Sequence, residues 1–289
     1  MRIANHAGRA VILTSDSTGE DVYTASEGRF GPTLPAIYDN WKEFTEWAGS
    51  YSARTGDVII DRASLASPSP RPPQILAIGL NYQAHASEAG YQPSDEMPPV
   101  FTKFVSAMTG PDTVVSLPAD GHVDWEVELV VVIGTEAKNV TAEAAWSHVA
   151  GLSIGQDFSE RITQNAGQAP QFSLGKSFEG FSPVGPWLVT LDEFPDPDTI
   201  KLGCSIDGEP MQNGTTADMI FSVPRLIESL SRIVRLLPGD IIFTGTPSGV
   251  GIGRSPQRFL SPGETLVTWI DGIGEINQSF VAARAEVLV

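Results

Sequence analysis

Three carboxylate residues stand at every second position in the segment HVDWEVELVVVIG, which covers residues 122–134. They are Asp124, Glu126 and Glu128, and the alternation of a β-strand predicts that they share one face. The run that follows is apolar at every position, as expected of a strand inside a core, where neighbouring carboxylates favour a bound cation. A hard divalent cation such as Mg²⁺ prefers oxygen ligands, so Glu126 and Glu128 are candidate ligands, with Asp157 as a third. The alternative is a strand whose acidic face is solvated.

A candidate general base lies in the segment GLNYQAHASEAG, which follows the apolar run ILAIG. His85 and Glu88 are three residues apart, so their side chains meet if the segment forms a helical turn. A carboxylate beside an imidazole fixes its tautomer and strengthens it as a base, which is the arrangement of a group that deprotonates water. The alternative is an ordinary surface pair of histidine and glutamate.

Two further segments carry residues suited to holding negative charge. Lys176, in SLGKSFEGFSPVGP, could stabilise a developing oxyanion, or it could be a solvated charge at the rim of a site. The Gly-rich loop TGTPSGVGIG matches neither the P-loop nor the dinucleotide-binding pattern. Its backbone N–H groups and the hydroxyl of Thr246 could still bind a carboxylate.

The segment GLSIG spells the G-x-S-x-G pattern of a hydrolase nucleophile. That pattern requires a strand, a sharp turn and a helix around the serine, whereas Ser153 lies within an apolar run among predicted strands. We therefore interpret Ser153 as a strand residue. A metal-independent serine hydrolase and a non-catalytic protein that binds small oxo acids stay as rival hypotheses.

The composition excludes several classes of partner. The chain has 289 residues, a net charge of −17 and a pI near 4.5, which disfavours nucleic acid and anionic membranes as partners. Cys204 is the only cysteine, so no internal disulfide is expected. Apolar runs are far shorter than the ~20 residues of a membrane span, and the first residues lack a signal-peptide pattern. A cytoplasmic location is expected.

The order of predicted elements indicates a small N-terminal domain followed by a larger one. Residues 3–24 are typical of a small hairpin sheet, and 37–48 of a helix. The Pro- and Ser-rich stretch 64–73 reads as a linker. We predict an α+β accessory domain over residues 1–70 and the main domain over 71–289.

Strands dominate the predicted main domain. They are expected at 75–79, 113–117, 126–133, 149–156, 184–190, 199–206, 240–245 and 265–271. One long helix is predicted at 222–237, and Asp207-Gly208 and Asp271-Gly272 predict hairpin turns. Strands do not alternate with helices, so the pattern favours a mostly β, α+β fold over a doubly wound α/β fold.

Seven segments, in this order, resemble the fumarylacetoacetate hydrolase family over roughly residues 74–289. They are GLNYQAHASE (79–88), FTKFVSAMTGP (101–111), DWEVELVVVIG (124–134), GQDFSER (155–161), GKSFEGFSPVGPW (175–187), MQNGTTADMIFS (211–222) and GDIIFTGTPSGVG (239–251). The resemblance implies a catalytic domain built on a rolled, mixed β-sheet with few helices, and a homodimer. The N-terminal module is similar to the short extension of bacterial members.

The resemblance also implies a metal centre and a base. Glu126, Glu128 and Asp157 match the ligands of Mg²⁺ or Mn²⁺ in the family. His85 and Glu88 match its water-activating dyad. Independently of the resemblance, the segment around 83–97, which contains the dyad and is punctuated by Gly and Pro, is a candidate lid over bound substrate.

The remaining matched positions imply how substrate is held. Lys176 matches the active-site lysine, Arg161 and Gln164 match positions that orient substrate, and Thr246 matches the loop that holds its carboxylate. The implied function is a metal-dependent hydrolase that cleaves a C–C bond in a 2,4-dioxo acid through a metal-stabilised enolate, with a role in aromatic compound catabolism. A decarboxylase of oxaloacetate or an isomerase of unsaturated dioxo acids is the alternative on the same site.

Overall fold

The computed structural model describes residues 1–51, 56–88, 90, 92 and 95–283. The candidate lid at 83–97 therefore lies partly outside the described residues. The strands and helices form one large sheet, a smaller sheet and a two-stranded ribbon, with the helices at their margins. The fold is mostly β with few helices, which confirms the fold class predicted from the sequence.

The elements have the following bounds. The strands are β1 Arg2–His6, β2 Arg9–Leu13, β3 Thr18–Asp21, β4 Val58–Ile59, β5 Leu65–Ala66, β6 Ile75–Ile78, β7 Val100–Thr102, β8 Met108–Thr109, β9 Asp112–Leu117, β10 Val123–Asp124, β11 Val127–Ile133, β12 Val149–Gln156, β13 Ser159–Glu160, β14 Ser182–Val189, β15 Lys201–Ile206, β16 Glu209–Thr215, β17 Ile241–Phe243, β18 Thr265–Ile270 and β19 Gly274–Ala282. The α-helices are α1 Val22–Ala25, α2 Leu34–Tyr38, α3 Trp41–Ser50, α4 Gln83–Glu88, α5 Ala142–Ala145, α6 Arg161–Gln164, α7 Phe172–Gly175 and α8 Val223–Ile233.

The large sheet has the order β4-β3-β2-β1-β14-β12-β11-β17-β6-β7, with β5 paired to β1 and β8 to β14. Within this sheet β11 pairs antiparallel with both β12 and β17. Every residue of β11 is buried. A strand buried on both faces reads as a continuous apolar run, which is why this segment shows no polar alternation beyond Glu128.

Strand β11 separates two apolar cores. Leu129 and Val131 pack in the larger core, while Val130 and Val132 pack in the second core against strands and helices of the N-terminal region. Because side chains alternate along a strand, Glu128 lies on the same face as Val130. Glu128 therefore lies on the face of β11 that packs on the second core.

The smaller sheet has the order β16-β15-β18-β19-β9, and β10 pairs with β13. The predicted turn at Asp207-Gly208 joins β15 to β16, with both residues at positive φ of 49° and 83°. These values suit a tight two-residue hairpin turn, and the Asp-Gly pair tolerates them. The turn near Asp271-Gly272 likewise joins β18 to β19.

The N-terminal strands continue the large sheet, because β1 pairs antiparallel with β14. The single helix expected at 37–48 is two helices, α2 and α3, which are separated at Asp39 and Asn40. Trp41 and Phe44 of α3 are buried in the second core. The division into domains of residues 1–70 and 71–289 stays a prediction.

Candidate active site

Glu126, Glu128 and Asp157 converge at one end of the β11–β12 pair. Glu126 directly precedes β11, and Asp157 directly follows β12, which runs antiparallel to it. The backbone N–H of Asp157 donates to the carbonyl oxygen of Glu126, with an N–O distance of 2.9 Å. The three residues are no more than 5% exposed and each offers a carboxylate oxygen within 4.8 Å of the others. Strand pairing thus brings together residues about thirty positions apart.

This acidic triad fits a divalent cation. It offers hard oxygen donors from separate segments, which is the donor set that Mg²⁺ and Mn²⁺ prefer. Burial raises the pKa of Glu128 well above its ordinary value, and the nearby Asp157 and Glu126 raise it further. The two neighbouring carboxylates disfavour the ionised form of Glu128. A bound cation would offset this repulsion and favour ionisation.

Two buried lysines lie against the triad. Lys176 donates from Nζ to Glu126 Oε2 at 2.7 Å and to Asp157 Oδ2 at 2.6 Å. Lys103 Nζ is hydrogen-bonded to Asp157 Oδ1 and to the backbone carbonyl oxygen of Lys176. Burial acts to raise the pKa of Glu126, but Lys176 and Arg161 outweigh it and lower the pKa to about 2. Glu126 is therefore ionised over the physiological range.

Asp124 does not join the triad, contrary to the alternation expected over 122–134. The residues between it and β11 leave the strand conformation, so β10 and β11 are separate strands. Asp124 instead accepts hydrogen bonds on Oδ2 from Arg161, from Nη2 at 2.7 Å and from Nε at 3.0 Å. It serves to hold Arg161 and not a metal ion.

Arg161 connects Asp124, the triad and Gln164. Its Nη2 donates to Glu126 Oε1 at 2.7 Å, and its Nη1 donates to Gln164 Oε1 at 2.8 Å. Arg161 and Gln164 begin and end the single helical turn of α6, which Glu160 caps at its N-terminus by accepting from two backbone N–H groups. The short helix thus presents both side chains on the same side of the triad.

The predicted dyad forms on helix α4. His85 Nδ1 lies 3.3 Å from Glu88 Oε2, as expected for residues three apart on a helical turn. The backbone N–H of Gly249 donates to Glu88 Oε1 at 3.2 Å, so the Gly-rich loop supports the dyad from the other side. A Cβ at Gly253 would lie 2.4 Å from Glu88 Cδ, which shows how closely this loop packs on it.

The Gly-rich loop also contacts the triad. The backbone N–H of Gly245 donates to Glu128 Oε2 at 2.7 Å. Thr246 Oγ1 accepts from Gln212 Nε2 at 2.7 Å, while Gln212 Oε1 accepts from the backbone N–H of Val127 at 2.9 Å. Gln212 therefore fixes the position of Thr246 relative to strand β11.

One cavity of about 370 Å³ opens over these groups. Its walls include the predicted residues His85, Glu88, Glu126, Arg161, Gln164, Lys176 and Thr246. Glu128 and Asp157, whose side chains are buried, complete the triad beside Glu126. The nine residues predicted from the sequence thus gather in one place, where a buried cluster of three carboxylates, an imidazole and cationic groups lie around a common space.

The family model described as "Fumarylacetoacetate (FAA) hydrolase C-terminal" matches residues 74–281. The chain belongs to the fumarylacetoacetate hydrolase family. This confirms the resemblance stated from the seven segments.

Named members of the fumarylacetoacetate hydrolase family are similar over most of the chain. The mitochondrial oxaloacetate tautomerase FAHD2A of Bos taurus is 40% identical over 253 residues, which are 86% of this chain and 80% of the relative. A solved structure described as a "putative HpcE protein" from Mycobacterium smegmatis is 51% identical with a TM-score of 0.93, and the match covers 98% of this chain and 100% of that one. Maleylpyruvate hydrolase from Sphingobium sp. SYK-6, solved with manganese(II) and pyruvate, is 26% identical with a TM-score of 0.78, covering 98% and 100% of the two chains.

Ser153 has the position of a structural residue in this fold. It lies in the middle of β12, fully buried, and its Oγ is hydrogen-bonded to the backbone carbonyl oxygens of Gly185 and Trp187 at 3.1 and 3.0 Å. A hydroxyl held in this way by the neighbouring strand is not presented to a cavity. The geometry therefore opposes the serine hydrolase hypothesis.

Sequence reasoning missed two residues of the site, Lys103 and Gln212. Both act through long-range hydrogen bonds that no local pattern reveals. No helix among the residues that the structure describes is long and apolar enough to cross a bilayer.

Proposed function

We propose that the protein is a divalent-metal-dependent hydrolase that cleaves the C–C bond of 2,4-dioxo acids of the acylpyruvate type. The observation that carries the proposal is the shared cavity, in which Glu126 of the acidic triad and the His85–Glu88 dyad line the same space. A metal site alone would serve several reactions on 2-oxo acids. A neighbouring imidazole oriented by a carboxylate adds a base for water.

Glu126, Glu128 and Asp157 would hold Mg²⁺ or Mn²⁺. When bound there, the ion supplies Lewis-acid polarisation of the oxo acid and stabilises developing negative charge, an effect worth several kcal/mol. The relative from Sphingobium, whose structure holds manganese(II) and pyruvate, supports both the metal and the 2-oxo acid class.

The residues of the chain have distinct tasks in this reaction. His85, held by Glu88, removes a proton from water, which attacks the carbonyl carbon C4 of the substrate. The C3–C4 bond then breaks, its electron pair passes to C3 as the enolate of pyruvate, and the acyl group leaves as a carboxylic acid. The proton taken up by His85 is returned to C3, and Lys176 stabilises the negative charge before that transfer.

The groups beside the triad orient the substrate. Arg161 and Gln164 of α6 and Thr246 of the Gly-rich loop all line the cavity. Their fixed hydrogen bonds give donors that hold the carboxylate and oxo groups without rearrangement. Such positioning places C4 within reach of the water that His85 activates.

A second candidate is tautomerisation of oxaloacetate or isomerisation of an unsaturated dioxo acid. It is favoured by the 40% identity to the bovine oxaloacetate tautomerase, and by a 27% identical structure, TM-score 0.82, described as a probable 2-hydroxyhepta-2,4-diene-1,7-dioate isomerase from Mycobacterium abscessus. In this reaction His85 would move a proton at C3 without attack by water. Decarboxylation of oxaloacetate passes through the same enolate and stays a prediction.

Direct assays separate these reactions. The purified protein is incubated with acetopyruvate and longer acylpyruvates in Mg²⁺, in Mn²⁺ and in EDTA, and pyruvate is measured. Parallel assays follow the enol absorbance of oxaloacetate and its loss of carbon dioxide. We expect metal-dependent pyruvate release from acylpyruvates. Oxaloacetate tautomerisation without release of pyruvate from any acylpyruvate would overturn the hydrolase proposal in favour of the second candidate.

Two further expectations remain proposals. The family resemblance implies a homodimer, which light scattering on the purified protein would test. A role in aromatic compound catabolism and a cytoplasmic location follow from the same resemblance and composition, and fractionation of the source cells would test the location.

A further inference from the structure

The cavity has an extensive apolar wall in addition to its charged groups. Its apolar side chains are Ile78, Leu80, Phe101, Phe172, Val250 and Ile252. Phe101 and Phe172 make an edge-to-face contact with ring centroids 5.7 Å apart. The Phe101 ring centroid also lies 5.0 Å from Lys176 Nζ, so the apolar wall begins directly beside the acidic triad.

The arginine and the lysine in the described cavity wall already have carboxylate partners, and the histidine, His85, lies beside Glu88. Arg161 donates to Asp124 and Glu126, and Lys176 donates to Glu126 and Asp157. These five residues and the dyad glutamate are buried or half-buried. A second carboxylate far from the metal site would therefore find no unpaired cation among the wall residues that the structure describes, and burying it would be unfavourable.

The segment after the dyad reinforces this charge pattern. Residues 86–99 contain Glu88, Asp95 and Glu96 but no lysine, arginine or histidine. Glu88 itself lines the cavity. A substrate tail whose carboxylate lay beside Glu88 would therefore meet like charge in the cavity wall.

Leu80, in the apolar wall, has an unfavourable backbone conformation. Its φ is +57°, a left-handed conformation that a leucine rarely adopts. The next residue enforces it, because Asn81 Nδ2 donates to the carbonyl oxygens of Phe221 and Thr244, and its Oδ1 accepts from Phe221 N–H. Strained backbone conformations that the surrounding structure holds in place often occur at functional sites. Here the strained residue belongs to the apolar wall of the cavity.

Building on the function proposed above, we infer that the site selects 2,4-dioxo acids whose acyl tail is apolar and uncharged over those whose tail ends in a second carboxylate. The triad and its lysines take the common 2,4-dioxo acid end, and the wall formed by Leu80, Phe101, Phe172 and Ile252 takes the tail. Oxaloacetate ends at C4, the carbon to which such a tail would be attached, so it would leave this wall uncovered.

A matched series of substrates tests the inference. Acylpyruvates with alkyl tails of increasing length are compared with acids of equal length in which the terminal ethyl group is replaced by a carboxylate. We expect kcat/KM to rise roughly threefold to fourfold per added methylene until the cavity is filled. Each dicarboxylate should be at least about tenfold poorer than its alkyl counterpart. Equal or better turnover of the dicarboxylates would overturn the inference.

A charge change in the wall provides an independent test. Ile252→Lys places a cation where the wall is apolar, and Ile252→Met is the matched control that keeps a long, uncharged side chain. The ratio of kcat/KM for the dicarboxylate to that for its alkyl counterpart should rise about tenfold or more in Ile252→Lys and stay at the wild-type value in Ile252→Met. An unchanged ratio in Ile252→Lys would contradict an apolar tail site at this position.

Binding separates a failure of this inference from a failure of the proposed function. Each acid is titrated calorimetrically into the wild-type protein in Mg²⁺. If nothing is hydrolysed but the alkyl acids bind more tightly than their dicarboxylate counterparts, the hydrolase proposal fails and the tail selectivity stands. If acylpyruvates are hydrolysed and dicarboxylates bind as tightly or more tightly, the selectivity fails and the hydrolase stands.

Discussion

Asp124 and Arg161 form a buried ion pair that joins the substrate cavity to the Gly-rich loop. Arg161 donates to Asp124 Oδ2 at 2.7 and 3.0 Å, and the backbone N–H groups of Gly251 and Ile252 donate to the same carboxylate at 2.6 and 2.9 Å. Asp124 thus fixes both a residue proposed to orient substrate and the backbone that carries part of the apolar wall. Its effect on activity is exerted through these neighbours.

Replacing this carboxylate should destabilise the protein strongly. Asp124→Asn keeps the shape of the side chain but leaves the buried guanidinium of Arg161 without half of its countercharge. Breaking a buried ion pair from one side costs about 3–5 kcal/mol. We expect a loss of about 3 kcal/mol in the free energy of unfolding, measured by urea denaturation at neutral pH, together with a higher KM.

The matched control is Asp16→Asn. Asp16 also pairs with an arginine, Arg2, but its side chain is 79% exposed. Exposed ion pairs contribute little because water screens them. The urea midpoint of Asp16→Asn should equal that of the wild type, and a similar loss in both variants would show that burial of the Asp124 pair has no special effect.

Metal binding should weaken as the pH falls. Burial, with Asp157 and Glu126 nearby, raises the pKa of Glu128 in the metal-free protein. Below that raised pKa Glu128 holds a proton that the metal must displace, whereas above it no proton is released. Mg²⁺ affinity should therefore rise by up to about tenfold per pH unit until the raised pKa is passed, and then level off. Calorimetric titration in buffers of different ionisation enthalpy measures the proton release.

Glu128→Gln is the control for this linkage. The amide keeps the volume of the side chain and has no proton to lose in this range, so the variant should bind Mg²⁺ more weakly and with a flatter dependence on pH. A wild-type protein whose Mg²⁺ affinity does not change as the pH rises above the ordinary pKa of a glutamate would contradict the assignment of the raised pKa to a metal ligand.

The parts of the site that rest on local patterns could be predicted from the sequence. The continuous apolar run of β11 predicted a central strand, and the spacing of His85 and Glu88 predicted a contact that the structure confirms at 3.3 Å. Asp157, the candidate third ligand, directly follows the strand that pairs with β11, and its carboxylate lies within 4.8 Å of those of Glu126 and Glu128; its role as a metal ligand stays a prediction.

The parts of the site that depend on packing between distant residues could not be predicted from the sequence. Lys103 reaches Asp157 across 54 positions and Gln212 reaches Val127 across 85, and neither partner is marked by local spacing. For Asp124 a local pattern existed but its prediction was wrong, because the regular spacing placed this residue beside Glu126. Two residues outside the strand conformation turned it towards Arg161 instead, and the sequence gives no sign of that break.

Removing the base should abolish turnover while leaving the metal site intact. His85→Gln keeps a polar side chain of similar size but cannot take up a proton, so kcat for acylpyruvate hydrolysis should fall by about 10²–10⁴. Mg²⁺ affinity, measured by calorimetry, should stay within about twofold because the triad is unchanged.

His148→Gln is the matched control. His148 Nδ1 lies 2.9 Å from the carbonyl oxygen of Glu136, and this histidine does not line the cavity, so the variant should keep the wild-type kcat. Full activity of His85→Gln would rule out the proposed role.

Displacing the carboxylate that orients the base should have a similar but smaller effect. A Cβ at Gly253 would lie 2.4 Å from Glu88 Cδ and 2.6 Å from Glu88 Oε1, so Gly253→Ala must push the Glu88 side chain away. Because that side chain is flexible and half-buried, folding should be little affected, whereas kcat should fall by about 10-fold or more as His85 loses its partner.

Gly49→Ala in helix α3 is the matched control, since nothing lies within 4 Å of its added Cβ. Alanine there should stabilise the helix by about 0.5–1 kcal/mol. Steady-state kinetics and thermal unfolding of both variants check this prediction, and a Gly253→Ala protein with wild-type kcat would show that the position of Glu88 does not limit the reaction.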